Sequence, residues 1–349
     1  MHKSEELAEV AQVLFDRMLE LGLEIDDGIM LVLLEEDNHN QLHWFVSHDR
    51  VAQSKFRVPQ FNHPVMNEVY LAREKGLNFI ERHFEKSIKD DFLDKIFTMT
   101  DYEAMPAEIK KRNYADDFYH YSFAIEKYTG ILLNSLRRKS YQSEHNIILT
   151  RFARVFEQTY VRFLDLQKAE AQAREAQIEL GLERVRARAM AMQKSDELKE
   201  LIATVSTELS KLDLILDRCF ITTYDIKTLG VTWWMANPET SADPIGLYVK
   251  YHEQVPYLAF LKAWQDRIVK WQFILEGPVK KTWDEFLFVE TELSRLPDFV
   301  IDNMRANDKV YLSASFNNFG CLTLATLEPL SDEQFDIMLR FAKVFDLTY

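Results

Sequence analysis

Apolar positions recur every three to four residues at the start of the chain: Leu7, Val10, Ala11, Leu14, Phe15, Met18 and Leu21. That spacing predicts an amphipathic helix with one face on a core. Ser4 is a candidate N-cap, since its hydroxyl can accept from an otherwise unpaired helix amide. Two apolar runs follow, at 29–34 and 42–46. They flank the polar turn Glu36-Asp37-Asn38-His39-Asn40 and read as a hairpin. Val65, Val69 and Ala72 mark a helical middle, residues 77–84 a third strand, and 88–97 another helix. Residues 121–125 and 131–135 read as closing strands. Gly130 lies in their turn, where glycine permits the positive φ of a tight hairpin. A helical pattern resumes from about Glu144.

The pattern then repeats. Met1-His2-Lys3-Ser4-Glu5-Glu6-Leu7 returns as Met192-Gln193-Lys194-Ser195-Asp196-Glu197-Leu198. Arg151-Phe152-Ala153-Arg154-Val155-Phe156 returns as Arg340-Phe341-Ala342-Lys343-Val344-Phe345. Solenoid units run ~20–50 residues, and this period is far longer, so it is domain-sized. The second copy again reads as a helix (Leu198, Leu201, Ile202, Val205, Leu209, Leu212) and strands at 219–224 and 231–235. A helical middle, a strand at 268–275, a helix at 279–293, strands at 310–316 and 321–327 around Gly320, and a last helix from about Asp332 follow. Each copy thus predicts helix, two strands, helical middle, strand, helix, two strands, helix. The expected fold class is α+β: an antiparallel sheet flanked by helices on one side, twice.

Between the copies, residues 144–192 contain no Pro and one Gly, Gly181. Good helix formers dominate. From Tyr160 to Met192 a continuous helix would span ~50 Å. Phe152, Phe156, Thr159, Phe163 and Leu166 step by 4,3,4,3, and so do Ile178, Leu182, Val185, Ala189 and Met192. These are two coiled-coil seams out of phase, with the alanine-rich stretch 169–176 absorbing the shift. Gly181 reads as a soft point, costing ~1 kcal/mol relative to Ala. Three readings stand side by side: a parallel dimer whose linker transmits a rotation, a solvated single helix, and a helix packed back on its own domain.

The element order and the paired terminal helices resemble a GAF domain. The segment 167–192, ending Leu182-Glu183-Arg184-Val185-Arg186-Ala187-Arg188-Ala189-Met190-Ala191-Met192, resembles the helical linkers of multidomain bacterial signalling proteins with GAF-like inputs, often placed ahead of histidine kinase or other output modules. The resulting expectation is a GAF-like domain at 1–159, a helical linker at 160–194 and a GAF-like domain at 195–349. The long helix forms a coiled coil, with Phe156, Phe163, Leu166, Ile178, Leu182, Val185 and Met192 at a homodimer seam. Tyr349 matches Tyr160, where the first linker takes off, so a downstream output domain is expected too.

Composition narrows the function. The 349 residues are 47% hydrophobic and carry a formal charge of −14, which disfavours nucleic acid and anionic membranes as partners. No apolar run approaches ~20 residues, and the acidic start is unlike a signal peptide. Two cysteines, Cys219 and Cys321, are too few for a disulfide scaffold, so a cytoplasmic location is expected. Enzyme signals are absent from the sequence. No Gly-x-Ser-x-Gly elbow or glycine-rich phosphate loop occurs. His252-Glu253-Gln254-Val255-Pro256 echoes the phosphoacceptor box of histidine kinases, but its proline is one residue early. His39, His43 and His48 do not converge on one strand face, so metal is not expected. His63, before Pro64, is a weak haem candidate.

Aromatics give the best ligand signal. Trp44 aligns with the pair Trp233-Trp234, and the second copy adds Tyr248, Tyr251, Trp264, Trp271 and Trp283. In GAF-like folds the ligand lies between the sheet and the helical middle. The resemblance therefore implies Trp233, Trp234, Tyr248, Trp264, Trp271 and Trp44 as walls of a site for a flat or apolar small molecule. The competing reading is ordinary core packing. The expectation is a non-enzymatic sensory module in which the second copy holds a ligand of unknown identity, any cofactor is unknown, and the first copy is degenerate. The alternative is a ligand-free dimerisation or scaffolding module.

Overall fold

A computed structural model describes residues 6–25, 28–35, 38–46, 54–136, 141–194, 197–236 and 244–348. Ser4, Glu36, Asp37 and His48 lie outside these. The chain forms two compact units, Met1–Glu170 and Ala171–Tyr349.

The first unit runs α1 (Glu6–Glu20), β1 (Ile29–Leu34), β2 (Gln41–Val46), β3 (Ser54–Val58), α2 (Pro64–Glu74), β4 (Phe79–Glu85), α3 (Lys86–Met99), a 3-10 turn (Asp101–Ala104), α4 (Ala107–Ala115), β5 (Phe118–Ile125) and β6 (Thr129–Ser135). It closes with the first part of α5 (Ser143–Ala191). The six strands form one antiparallel sheet in the order β3-β2-β1-β6-β5-β4.

Helices cover both faces of this sheet, not one. Strand residues alternate sides, so Ile29 and Leu31 join Trp44, Val46, Ile131 and Leu133 beneath α1 and α5. Val32 and Leu34 join Tyr121, Phe123 and Leu132 on the other face, beneath α2 and α3. The sixth strand, β3, was not expected. It is a short edge strand in which Phe56 and Val58 are buried between the exposed Lys55 and Arg57.

The second unit repeats the plan. It begins with the end of α5 and continues as α6 (Leu198–Lys211), β7 (Arg218–Tyr224), β8 (Val231–Ala236), β9 (Ile245–Val249), α7 (Val255–Gln265) and β10 (Trp271–Glu276). Then come α8 (Gly277–Glu290), a 3-10 turn (Glu292–Arg295), α9 (Asp298–Ala306), β11 (Lys309–Phe316), β12 (Gly320–Thr326) and α10 (Asp332–Thr348). The strand order β10-β11-β12-β7-β8-β9 is the first unit's order, place for place. Leu31 pairs with Trp44 across β1 and β2, and Ile221 pairs with Trp234 across β7 and β8.

Gly130 and Gly320 do not have positive φ. They are needed for space. A Cβ at Gly320 would collide with the Thr222 carbonyl, and one at Gly130 with the Phe123 ring.

Helix α5 is unbroken over 49 residues. Phe156 is buried in the first unit's core and Phe163 packs beside Tyr160, while Leu166 is exposed. Ile178, Leu182, Val185 and Ala189, with Met192 against them, are buried with α6 and α10 inside the second unit. The compact units therefore divide within the helix, at 170/171, because the second seam is core to the domain that follows it. Gly181 also has a packing reason. A Cβ there would stand 3.2 Å from the Phe341 ring and 3.5 Å from Glu208, so glycine lets the helix approach α10 and α6 closely. Among the described residues, no helix is long and apolar enough to cross a membrane.

Candidate functional site

Between the second sheet and its middle helices lies a cavity of about 70 Å³. Alternation along β7 turns Arg218 and Phe220 towards it, and along β8 it turns Trp233 and Met235 the same way. From α8, Lys280, Trp283, Asp284 and Leu287 follow the i, i+3, i+4, i+7 spacing of one helix face and form the opposite wall. Leu293, Val310 and Leu312 complete an otherwise apolar lining.

The charges in this wall are buried. Lys280 Nζ donates to the Asp284 carboxylate and to the Met304 carbonyl, the latter at 2.8 Å. Arg218 Nη1 lies 2.8 Å from Asp217 Oδ2. Burial pushes the Asp284 carboxyl above its ordinary range, opposed by Lys280, Arg305 and Arg218. An isolated buried ion is costly, and here each of the two cations lies against a carboxylate.

One part of this cluster is shared by both units. Lys89 is the fourth residue of α3, as Lys280 is of α8, and it is fully buried. Its ammonium donates to the Asn113 carbonyl at 2.8 Å and pairs with Asp90 at 2.7 Å. The buried lysine thus ties the helix to α4 in one unit and α9 in the other, a structural task. The rest is particular to the second unit. Leu93 stands where Asp284 stands, and Gly28 where Arg218 does. Tyr102, Tyr119 and Tyr121 fill the first unit's core where the second has Leu293, Val310 and Leu312. Tyr102 also hydrogen-bonds the His43 ring at 3.1 Å, and His43 occupies the place of Trp233.

Of the aromatics expected at a ligand site, Trp233 lines the cavity, as does Trp283. Trp264 and Trp271 form a neighbouring cluster. Trp264 stacks on Tyr224 at 4.3 Å and Trp271 packs edge-on to Phe260 at 4.6 Å. Phe260 belongs both to this cluster and to the cavity wall. Trp44 and Trp234 face the other way, into the cores beneath the terminal helices. Tyr248 is exposed on the edge strand β9, its backbone N–H donating to Glu292 at 2.8 Å. Arg218, Lys280 and Asp284 were not among the expected residues. Lys280 and Asp284 read as an ordinary i,i+4 surface pair, and only burial sets them apart.

The described histidines and cysteines singled out in the sequence lie in packed surroundings. His252 lies just before α7, against Tyr257, Phe286 and Trp283, and its Nδ1 accepts from the Gln254 N–H at 3.2 Å. Burial pushes its pKa down to about 4. In the first unit His63 is the N-cap of α2. Its Nδ1 accepts from the Val65 N–H, and Nε2 lies 3.3 Å from Asp91. His43 is buried between Tyr102 and Gln41, and His39 stacks on Tyr70. Among the described residues, no three His, Cys, Asp or Glu gather as metal ligands. Cys219 and Cys321 are buried strand residues, and burial pushes the Cys321 thiol up to about 11. The first unit also carries a broad recess of about 750 Å³ edged by Asn38, Arg73 and Glu126. No protein-family model and no curated protein matches the chain.

Proposed function

We propose that this chain is a non-catalytic regulatory module with GAF-like units, and that its second unit holds a small organic ligand in the cavity bounded by Trp233, Trp283, Arg218 and Asp284. The observation that carries this reading is the difference between the units. The first closes the equivalent space with tyrosines, while the second replaces them with aliphatic residues and adds Arg218 and Asp284. Adding buried charge to an apolar wall is costly unless something uses it. A ligand with an apolar body and one polar group suits such a wall.

Transmission would run through the sheet. Trp233 and Trp234 are adjacent on β8 and point to opposite faces, one to the cavity and one to the α5–α6 core. A ligand that prefers one packing of this strand would bias the packing of α5, which is population shift through a differential affinity. An output partner would read α5.

The alternative, a scaffolding module without a ligand, draws on cavity size. About 70 Å³ is under half of the ~150 Å³ that takes benzene, so a ring-sized ligand requires side chains to move. Native mass spectrometry of the full chain, purified without denaturation, separates the two. A retained small molecule lost in Leu293→Tyr supports the sensor. A bare chain that ignores a broad metabolite panel supports the scaffold.

A further inference from the structure

In the second unit, residues 178–192 of α5 lie across α6 and α10 and bury them. Among the described residues, the corresponding face of the first unit is exposed. Leu212 and Val344 are each 3% exposed, whereas their counterparts Leu21 and Val155 are 61% and 55% exposed. Val13 is 57% exposed, and Phe152 is only partly buried where Phe341 is fully buried. These partly buried and exposed apolar residues form a stripe over α1 (Val10, Val13), the residue just past its end (Leu21) and α5 (Phe152, Val155), with Val10 and Phe152 bordering one cluster. An exposed apolar stripe of this kind marks an interaction surface.

We infer that the α1–α5 face of the first unit docks an acidic amphipathic helix supplied by a partner protein, seated as residues 178–192 are seated on the second unit. The second unit shows what such a helix requires. It needs aliphatic residues stepping by 4,3,4,3 and a glycine or alanine over Phe152, as Gly181 lies over Phe341. Charge fixes the sign. Arg340 is held by Glu175 through both guanidinium nitrogens, at 2.6 and 3.0 Å, and its counterpart Arg151 is exposed. Glu208 accepts from Arg184 at 3.0 Å, but its counterpart is Arg17. Arg151 is therefore an exposed cation, and Arg17, paired with Glu20 on its own helix, stands where Glu208 met Arg184, so an acid is wanted where residues 178–192 carry Arg184.

The test uses the full chain and two labelled synthetic peptides of residues 171–194, one unmodified and one carrying Arg184→Glu. Fluorescence anisotropy should show saturable binding of the Arg184→Glu peptide, on the order of tenfold tighter than the unmodified one. Val155→Glu and, separately, Leu21→Glu in the chain should abolish it while circular dichroism stays unchanged, since both positions are exposed. Failure of both peptides to bind overturns the inference, as does binding indifferent to these variants. So does a chain that elutes as a dimer and becomes monomeric with Val155→Glu, because a second copy then covers the face.

Discussion

In the cavity wall Asp284 and the Met304 carbonyl take the place of the water that Lys280 has lost. Removing the lysine leaves Asp284 buried without its nearest cation. Lys280→Met should cost about 3 kcal/mol in urea unfolding, and a cost near zero would show that the pair is dispensable. His43 makes the opposite arrangement, a neutral ring between Tyr102 and Gln41 with burial pushing its pKa down to about 3. Its unfolded pKa is about 6.5. The unfolded state therefore binds the extra proton first, and stability falls as pH drops from about 6.5 towards 3. His43→Gln should flatten that fall, measured as denaturation midpoints across the window; an unchanged slope would assign it to other groups. At this scale the sequence was partly legible. Trp233 stood out as an aromatic beside a hairpin. Lys280 and Asp284 did not, because four-residue spacing between opposite charges is the commonest surface pattern of any helix.

Helices and strands were readable wherever a period was sustained. The runs at β1, β2, β5 and β6 and their counterparts were placed within a few residues. The edge strands β3 and β9 escaped because each is five residues long and carries one face of exposed side chains. The coverage of both sheet faces was hidden because periodicity says that a helix packs, not against which side. The 4,3,4,3 stepping of α5 had the same ambiguity: a coiled-coil seam and a helix lying on its own domain share that pattern. Gly181 decides the matter locally. Gly181→Leu raises helix propensity, yet its side chain would strike Phe341 and Glu208. A net destabilisation of about 1–3 kcal/mol is expected in calorimetry, whereas a stabilised variant would mean that α5 does not approach α10 as closely as described.

Two units with one strand order follow from a sequence that repeats at domain length, and that was the most legible feature of all. Each unit has its own core, so damage should stay local. Phe156→Ala should remove about 3–5 kcal/mol from the first unit and lower one transition in circular dichroism. Tryptophan fluorescence, with five of the six tryptophans in the second unit, should change little. A matching loss in both signals would show that the units unfold as one. What the sequence did not reveal is how the copies diverged, because that lies in Leu293, Val310 and Leu312 standing where tyrosines stand in the first unit. The most direct test of a ligand site there is thermal unfolding of the full chain against a panel of small organic acids, followed by tryptophan fluorescence, in parallel with Leu293→Tyr. A compound that raises the midpoint of the wild-type chain by several degrees, and leaves Leu293→Tyr unmoved, is the expected result. Equal shifts in both proteins, or none across the panel, would contradict it.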